Sequence, residues 1–309
     1  MPNGNKDNFR RLLKIAGLAI EIRSPWDLAM MNAEPFRQPR AAGSGVDIIV
    51  HFHTIGADDQ DGPPIDPERD PRLAKAGRRG SASPLLRSRA VAARLDETLG
   101  HGERLFAEIL PEALSILDFQ DQRADFFFAS GSAPGPEQRV AGPALLAPFL
   151  PAFDACLLHA SAIARRGRVV VFLAPDEGGK TTAARLSLSG TILGDDQVIV
   201  RRSAGGFRVY GTPWGLHVDA TSQAPLAGLF LLEKADRFAL SPCPARELVP
   251  FMWREVMDPI SILPKPSKKK AFAVLCAIAA AAPAWRLSFP RDYIDWEAID
   301  QAMAAAGGK

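Results

Sequence analysis

Apolar and polar positions in the first part of the chain fall into short runs of strand length. Leu12 to Arg23 is apolar with β-branched residues, and Val46 to Ile55 (VDIIVHFHTI) alternates with a period of two, so a strand pair is predicted. Between them, Pro25-Trp26 predicts the start of a short helix. Gly56 to Ser83 carries acids, then prolines, then basic residues, with almost nothing to bury, and predicts a long disordered loop at about 56–83. Leu85 to Leu99 and Ala144 to Leu158 follow a helical pattern, while Leu114 to Phe119 and Ala124 to Phe128 are strand-like. Together these elements predict a small mixed α/β unit over residues 1–140.

The pattern sharpens in residues 141–309. Arg168 to Leu173 (RVVVFL) is a continuous apolar run, as expected of a strand buried on both faces of a parallel or mixed sheet. The loop APDEGGKTT follows, and Thr181 to Ser189 places Ala183/Leu186 and Ala184/Leu188 at helical spacing. Thr191 to Arg202, Phe207 to Tyr210 and Gly228 to Leu240 are strand-like, the first with the doublet Asp195-Asp196 inside it. The tail predicts helices near Arg246 to Val256, Lys268 to Ala281 and Asp295 to Ala305, with a strand at Trp285 to Phe289. The class predicted is α/β.

Composition narrows the function. At 309 residues, 47% hydrophobic and 23% charged, the chain belongs among globular proteins rather than disordered or collagen-like ones. Lys+Arg 37 against Asp+Glu 35 gives a net charge of +2, too balanced for a protein that neutralises many backbone phosphates, so no nucleic-acid partner is expected. Cys156, Cys243 and Cys276 are odd in number and lack zinc or disulfide spacing, which predicts a reducing compartment. Met1 to Arg11 has no apolar signal core, and the most apolar run, Ala271 to Ala282, is cut short by Pro283. No transmembrane segment and a cytoplasmic location are therefore expected.

The sharpest chemistry lies in the loop. The phosphate-binding pattern G-x-x-x-x-G-K-[ST] is met from its second glycine onward in Ala174-Pro175-Asp176-Glu177-Gly178-Gly179-Lys180-Thr181, with Ala174 at the first position. In such a loop the backbone N–H groups around Gly178, Gly179, Lys180, Thr181 and Thr182 converge on an anion. Lys180 supplies a point charge to the outer phosphates, and the Thr181 hydroxyl ligates magnesium. Asp176 and Glu177 oppose this. Two like charges about 6 Å apart at an effective dielectric near 20 repel by roughly 3 kcal/mol, about a hundredfold in affinity.

Beyond the loop, Leu157 to Val200 (LLHASAIARRGRVVVFLAPDEGGKTTAARLSLSGTILGDDQVIV) resembles the catalytic core of HPr kinase/phosphorylase and of the bacterial HPr-kinase-like proteins, some of which modify peptides. His159 ahead of the loop strand, the loop, Asp195-Asp196 and Gly211-Thr212-Pro213-Trp214-Gly215 recur in the family order. Ala227 to Glu247 and Trp285 to Ile299 are similar to the kinase-like branch, and the resemblance covers about half the chain. It implies a P-loop kinase core of the HPr kinase / phosphoenolpyruvate carboxykinase type, preceded by the smaller N-terminal α/β unit. It also implies transfer of the γ-phosphoryl group of ATP, with Mg2+, to a serine or similar hydroxyl of a peptide or protein. In that scheme Lys180 holds the β- and γ-phosphates, Thr181 a magnesium ion, Asp195 accepts the hydroxyl proton, Asp196 orients it or touches the metal, and His159 lies beside the phosphates. The family carboxylate ahead of the glycine segment has no counterpart at Arg208-Val209-Tyr210-Gly211, with Asp219 the nearest substitute, so phosphorolysis is not implied. A catalytically degenerate nucleotide-binding sensor or scaffold module stays open beside the kinase, as does an oligomeric assembly.

Plainer readings accompany these. Asp195-Asp196 also fits a polar turn, and His159 a hydrogen-bonded core histidine. His51 and His53 share one strand face without a visible third ligand, and predict a solvated face rather than a metal site. Lys265 to Lys270 is a basic run suited to solvent, to an acidic peptide or to an anionic membrane surface. Trp214 is the aromatic expected near a ligand, and Ser81, Ser83 and Ser88 are candidate sites of phosphorylation in cis.

Overall fold

The computed structural model describes residues 9–25, 45–73, 76–80, 82–109, 113–130, 146–187, 190–214, 222–256 and 263–307. It divides into two units, Met1–Phe149 with Ser261–Pro266, and Leu150–Ile260 with Ser267–Lys309. The boundary lies later than residue 140 because Phe149 is fully buried and packs its ring 5.4 Å from that of Phe119 in the first unit.

In the first unit, β1 (Phe9–Ile15) and β2 (Leu18–Ser24) form a hairpin where one strand was expected. Its two-residue turn, Ala16-Gly17, has both φ angles positive (52° and 76°), matching the twist of the flanking strands. β3 (Ile48–Ile55), β4 (Gly77–Arg79), β5 (Leu105–Ile109), β6 (Ala113–Asp118) and β7 (Arg123–Ala129) complete a sheet of order β1-β2-β3-β7-β6-β5-β4. The helix expected at Pro25-Trp26 falls outside the described residues. Helix α1 (Arg89–Glu97) lays Val91 and Leu95 on the sheet beside Ile109, Ile116 and Phe127. The described residues of 56–83 do not form the long disordered loop expected. Ile65 and Leu73 are buried in the same core, and Gly62 and Ile65 donate backbone hydrogen bonds to Arg87 and Leu86. Two apolar residues sufficed to dock it.

Arg94 pins α1 to the sheet. Its guanidinium donates to Asp125 at 2.6 Å and to Asp118 at 2.9 Å, both carboxylates being fully buried. His51 and His53 are 12% and 14% exposed, so the solvated face expected of them is largely covered. The third donor invisible in the sequence is Asp125, 3.9 Å from His51 and 2.9 Å from His53. That carboxylate is already held by Arg94 and Arg123, and two guanidiniums beside it make the cluster an ion network rather than a cation site. Burial alone would raise the Asp125 pKa, but hydrogen bonds from His53 and Arg123 and the charges of both arginines outweigh it and bring it down to about 2. Ser88 caps α1, its Oγ accepting from Val91 N–H and donating to Asp59, which explains a serine there without phosphorylation; Ser81 is outside the described residues.

The second unit is built around two forked strands. β8 (Ala155–Arg165) and β13 (Gln223–Lys234) each pair with different neighbours along their two halves. One arm has the order β8, β11 (Gln197–Ser203), β12 (Gly206–Tyr210), β13. The other has β10 (Thr191–Gly194), β8, β9 (Arg168–Leu173), β13, β15 (Ala284–Phe289), β14 (Ala239–Pro242). β9 therefore lies between an antiparallel and a parallel partner, and both its faces are covered. Val169, Val171 and Leu173 join one core with α3 (Ala245–Glu255) and α4 (Lys265–Ala281). Val170, Phe172 and Ala174 join the other with α2 (Lys180–Arg185) and α5 (Trp296–Gly307). Ala144 and Leu145 of the helix expected over Ala144 to Leu158 lie outside the described residues; Leu146 is helical, a short turn at Leu150–Phe153 and then β8 follow, and Pro148 and Pro151 interrupt a helix there. Gly228 to Leu240 likewise divides into β13 and β14, with Asp236 and Arg237 at the bend. Among the described residues no helix is long and apolar enough to cross a membrane.

Candidate functional site

The strand β9 delivers the chain into the glycine loop, and the loop's backbone is held by sterics. Gly178 donates its N–H to Pro175 at 2.9 Å; a Cβ there would sit 2.6 Å from the Ala174 methyl and 2.8 Å from the Pro175 carbonyl oxygen. Gly179 adopts φ 101°, open to glycine, and Glu177 adopts φ 58°, a left-handed conformation uncommon outside glycine. Ala174, in place of the motif's first glycine, buries its methyl in the core and leaves the turn intact.

Lys180 opens α2 with its side chain buried. Its ammonium donates to the carbonyls of Ala174 at 2.8 Å and Pro175 at 3.0 Å, which uses two of its three N–H groups and ties the loop's two ends together. Ser161 of β8 donates to the Lys180 carbonyl at 3.0 Å, fixing the start of the helix against the strand. Burial lowers the Lys180 pKa, opposed by the negative charges of Glu255, Asp176 and Asp196. Thr181 is exposed and Thr182 half-buried in the first turn of α2, and the first amide to find a helical acceptor is that of Ala183, on Gly179.

Opposite the loop lies the bend between β10 and β11. The pairing with β8 shifts register between Ile192 and Gly194, just ahead of Asp195-Asp196, and a Cβ at Gly194 would meet Val198 at 2.5 Å and the Gln197 carbonyl at 2.7 Å. A bulged, glycine-dependent bend is a common way to aim side chains out of a sheet. The expected single strand is thus split at the doublet. Asp196 meets His159 of β8, Oδ1 to Nε2 at 2.9 Å, and the Asp196 carbonyl accepts from Ala160 N–H. The hydrogen bond between Asp196 and His159 raises the His159 pKa and lowers that of Asp196, so each holds the other charged. Asp195 occupies the other position of the same bend.

Two further carboxylates reach this histidine. Asp176 of the loop lies 3.4 Å from Nε2, and Glu255, the last residue of α3, lies 3.3 Å from Nδ1. The structure therefore gathers His159, Lys180, Asp196, Asp176 and Glu255 in one cluster. Glu255 escaped sequence reasoning because nothing in its spacing links it to the loop. Its one signal is an acid in the last turn of a helix, where the macrodipole disfavours negative charge. Ahead of the glycine segment Arg208 donates to Gln223 at 3.2 Å, and Asp219, the substitute carboxylate expected, lies outside the described residues, as does Gly215. Thr212 donates to the Gln197 carbonyl at 3.1 Å, which holds the glycine segment to β11. Burial pushes the pKa of the Cys156 thiol up to about 12, which keeps it in the protonated form at neutral pH.

No protein-family model matches the chain, and no curated protein matches it. Among solved structures it is similar to the Hpr(Ser) kinase/phosphatase from Coxiella burnetii, at 9% identity and a TM-score of 0.27, over 49% of this chain and 95% of that one.

Proposed function

We propose that the chain is an ATP- and magnesium-dependent kinase that transfers the γ-phosphoryl group to a serine or similar hydroxyl of a peptide or protein. The observation that carries this is the meeting of a glycine-constrained, lysine-closed loop with the His159–Asp196 pair 2.9 Å apart. Phosphoryl transfer asks mainly for positioning and charge neutralisation, which these parts supply. With two of its N–H groups on loop carbonyls, Lys180 keeps a third to offer the outer phosphates. Asp195 takes the proton of the acceptor hydroxyl as its oxygen bonds to the γ-phosphorus and the bond to the departing ADP oxygen breaks. The exposed hydroxyl of Thr181 and the half-exposed carboxylate of Asp196 are hard oxygen donors that fit a magnesium ion, which neutralises phosphate charge when bound.

ATP turnover in the presence of a serine-containing peptide library tests the proposal in wild type, Lys180→Ala and Asp195→Asn. Asp195→Asn is expected to bind nucleotide and lose transfer by about 100-fold or more. Equal turnover in all three would reject the assignment. The loop acids favour a second function, a nucleotide-binding sensor or scaffold without turnover; binding in wild type with no transfer to any acceptor would select it.

A further inference from the structure

We propose that the second unit carries a separate binding site for a small amphipathic anion, a carboxylate or phosphate monoester on an apolar chain, in the cavity between the β8–β9 turn, β13 and α5. The cavity has a volume of about 720 Å³ and opens at the start of β9, whereas the glycine loop leaves the other end of that strand, ~17 Å away at the rise of an extended chain. Arg165 and Arg168 are direct partners across the β8–β9 hairpin, so both side chains lie on the sheet face that α5 covers. Like charges placed opposite one another destabilise a strand pair. Between them Arg166 takes φ 51°, in a turn that asparagine or glycine fits with less strain. Hairpin stability thus gives no reason for three arginines here, and a bound anion does. Asp300 of α5 answers part of the charge, pairing with Arg165 and, at 2.9 Å, with Arg166, and Glu297 stands in the adjoining groove. Three guanidiniums against two carboxylates leave the mouth positive, and guanidinium is the group best shaped for carboxylate and phosphate oxygens. The rest of the wall is apolar, with Val170, Leu226, Pro283 and Met303. Trp296 joins the two halves: Arg165 lies 5.1 Å over its ring, and its indole N–H is buried without an acceptor among the described residues. A buried donor left unpaired is costly, and an oxygen of the ligand offsets that cost. An apolar wall with a few convergent polar groups is the general form of a small-molecule site. Inorganic phosphate has no body to bury in it, and a neutral alcohol leaves the arginines unanswered.

Isothermal titration of the full chain with octanoate, octyl phosphate, octanol, acetate and inorganic phosphate tests the site. One of the two octyl anions is expected to bind one to one, at least tenfold more tightly than octanol, acetate or inorganic phosphate, and the tighter of the two identifies the headgroup. Arg166 and Arg168 are exposed, so the double variant Arg166→Gln/Arg168→Gln is expected to fold and to weaken that binding at least fivefold. Trp296→Phe keeps an aromatic ring, removes the N–H and is expected to weaken it several-fold; circular dichroism checks that variant, and the arginine pair decides if it misfolds. Lys180→Ala is expected to leave the affinity unchanged. Binding of neither octyl anion, octanol binding as tightly as they do, or an affinity unmoved by the double substitution would overturn the site. Loss of binding in Lys180→Ala would assign the anion to the glycine loop and overturn it equally.

Discussion

At the scale of single residues, the candidate site is a set of backbone constraints that carry charge. Gly178 has no room for a side chain, so Gly178→Ala is expected to cost about 1–3 kcal/mol of stability and to weaken nucleotide binding by tenfold or more. Thermal denaturation and a binding titration on the same preparation check both, and an unchanged melting temperature would contradict the loop geometry. Lys180, Thr181 and the Asp195-Asp196 doublet stand out in the sequence as candidates because the chemistry proposed for the loop is tied to local order: glycines, then a lysine, then a hydroxyl. Glu255 and the turning of Asp176 toward His159 were not. The first depends on where α3 ends relative to a strand nearly a hundred residues earlier and the second on how the loop after β9 folds back beside β8, and no local pattern encodes either.

At the scale of elements, hydrophobic continuity was a good guide where burial is two-sided and a poor one where tertiary pairing overrides propensity. RVVVFL appears as β9 with the expected bounds, since each of its residues after Arg168 has a core to enter. Residues 144–158 follow a helical pattern, yet β8 takes the last four because it must pair with β9, β10 and β11. Loop 56–83 was misjudged for a different reason: its few apolar residues, Ile65 and Leu73, are enough when a helix and sheet already offer a groove. The anchor of α1 is polar and was invisible to hydrophobic patterning. Replacing Arg94 leaves Asp118 and Asp125 buried without their shared cation, so Arg94→Leu is expected to destabilise the fold by roughly 3–5 kcal/mol in urea denaturation. A loss under about 1 kcal/mol would show that the network is not structural.

At the scale of the whole molecule, the α/β class was legible in the sequence, but not the forked strands or the parallel direction of the pairings of β2 with β3 and β3 with β7. Such pairings join segments distant in the chain, and their order is set by packing. The first unit's stability should follow acid titration of its buried network. The folded Asp125 pKa of about 2 lies below its unfolded value, so its contribution is present above about pH 4 and is lost as pH falls toward 2. That contribution is on the order of 2 kcal/mol by linkage. Asp125→Asn should flatten this part of the acid limb in denaturation curves taken between pH 5 and 2; an unaltered limb would assign it to other groups. The central claim, that the loop after β9 encloses a nucleotide's phosphates, is tested most directly by titrating magnesium-ATP into the wild-type chain and into Lys180→Ala with calorimetric detection. Saturable one-to-one binding in the wild type, weakened at least tenfold by the substitution, is the predicted result; no binding, or equal affinity in the two proteins, would contradict it.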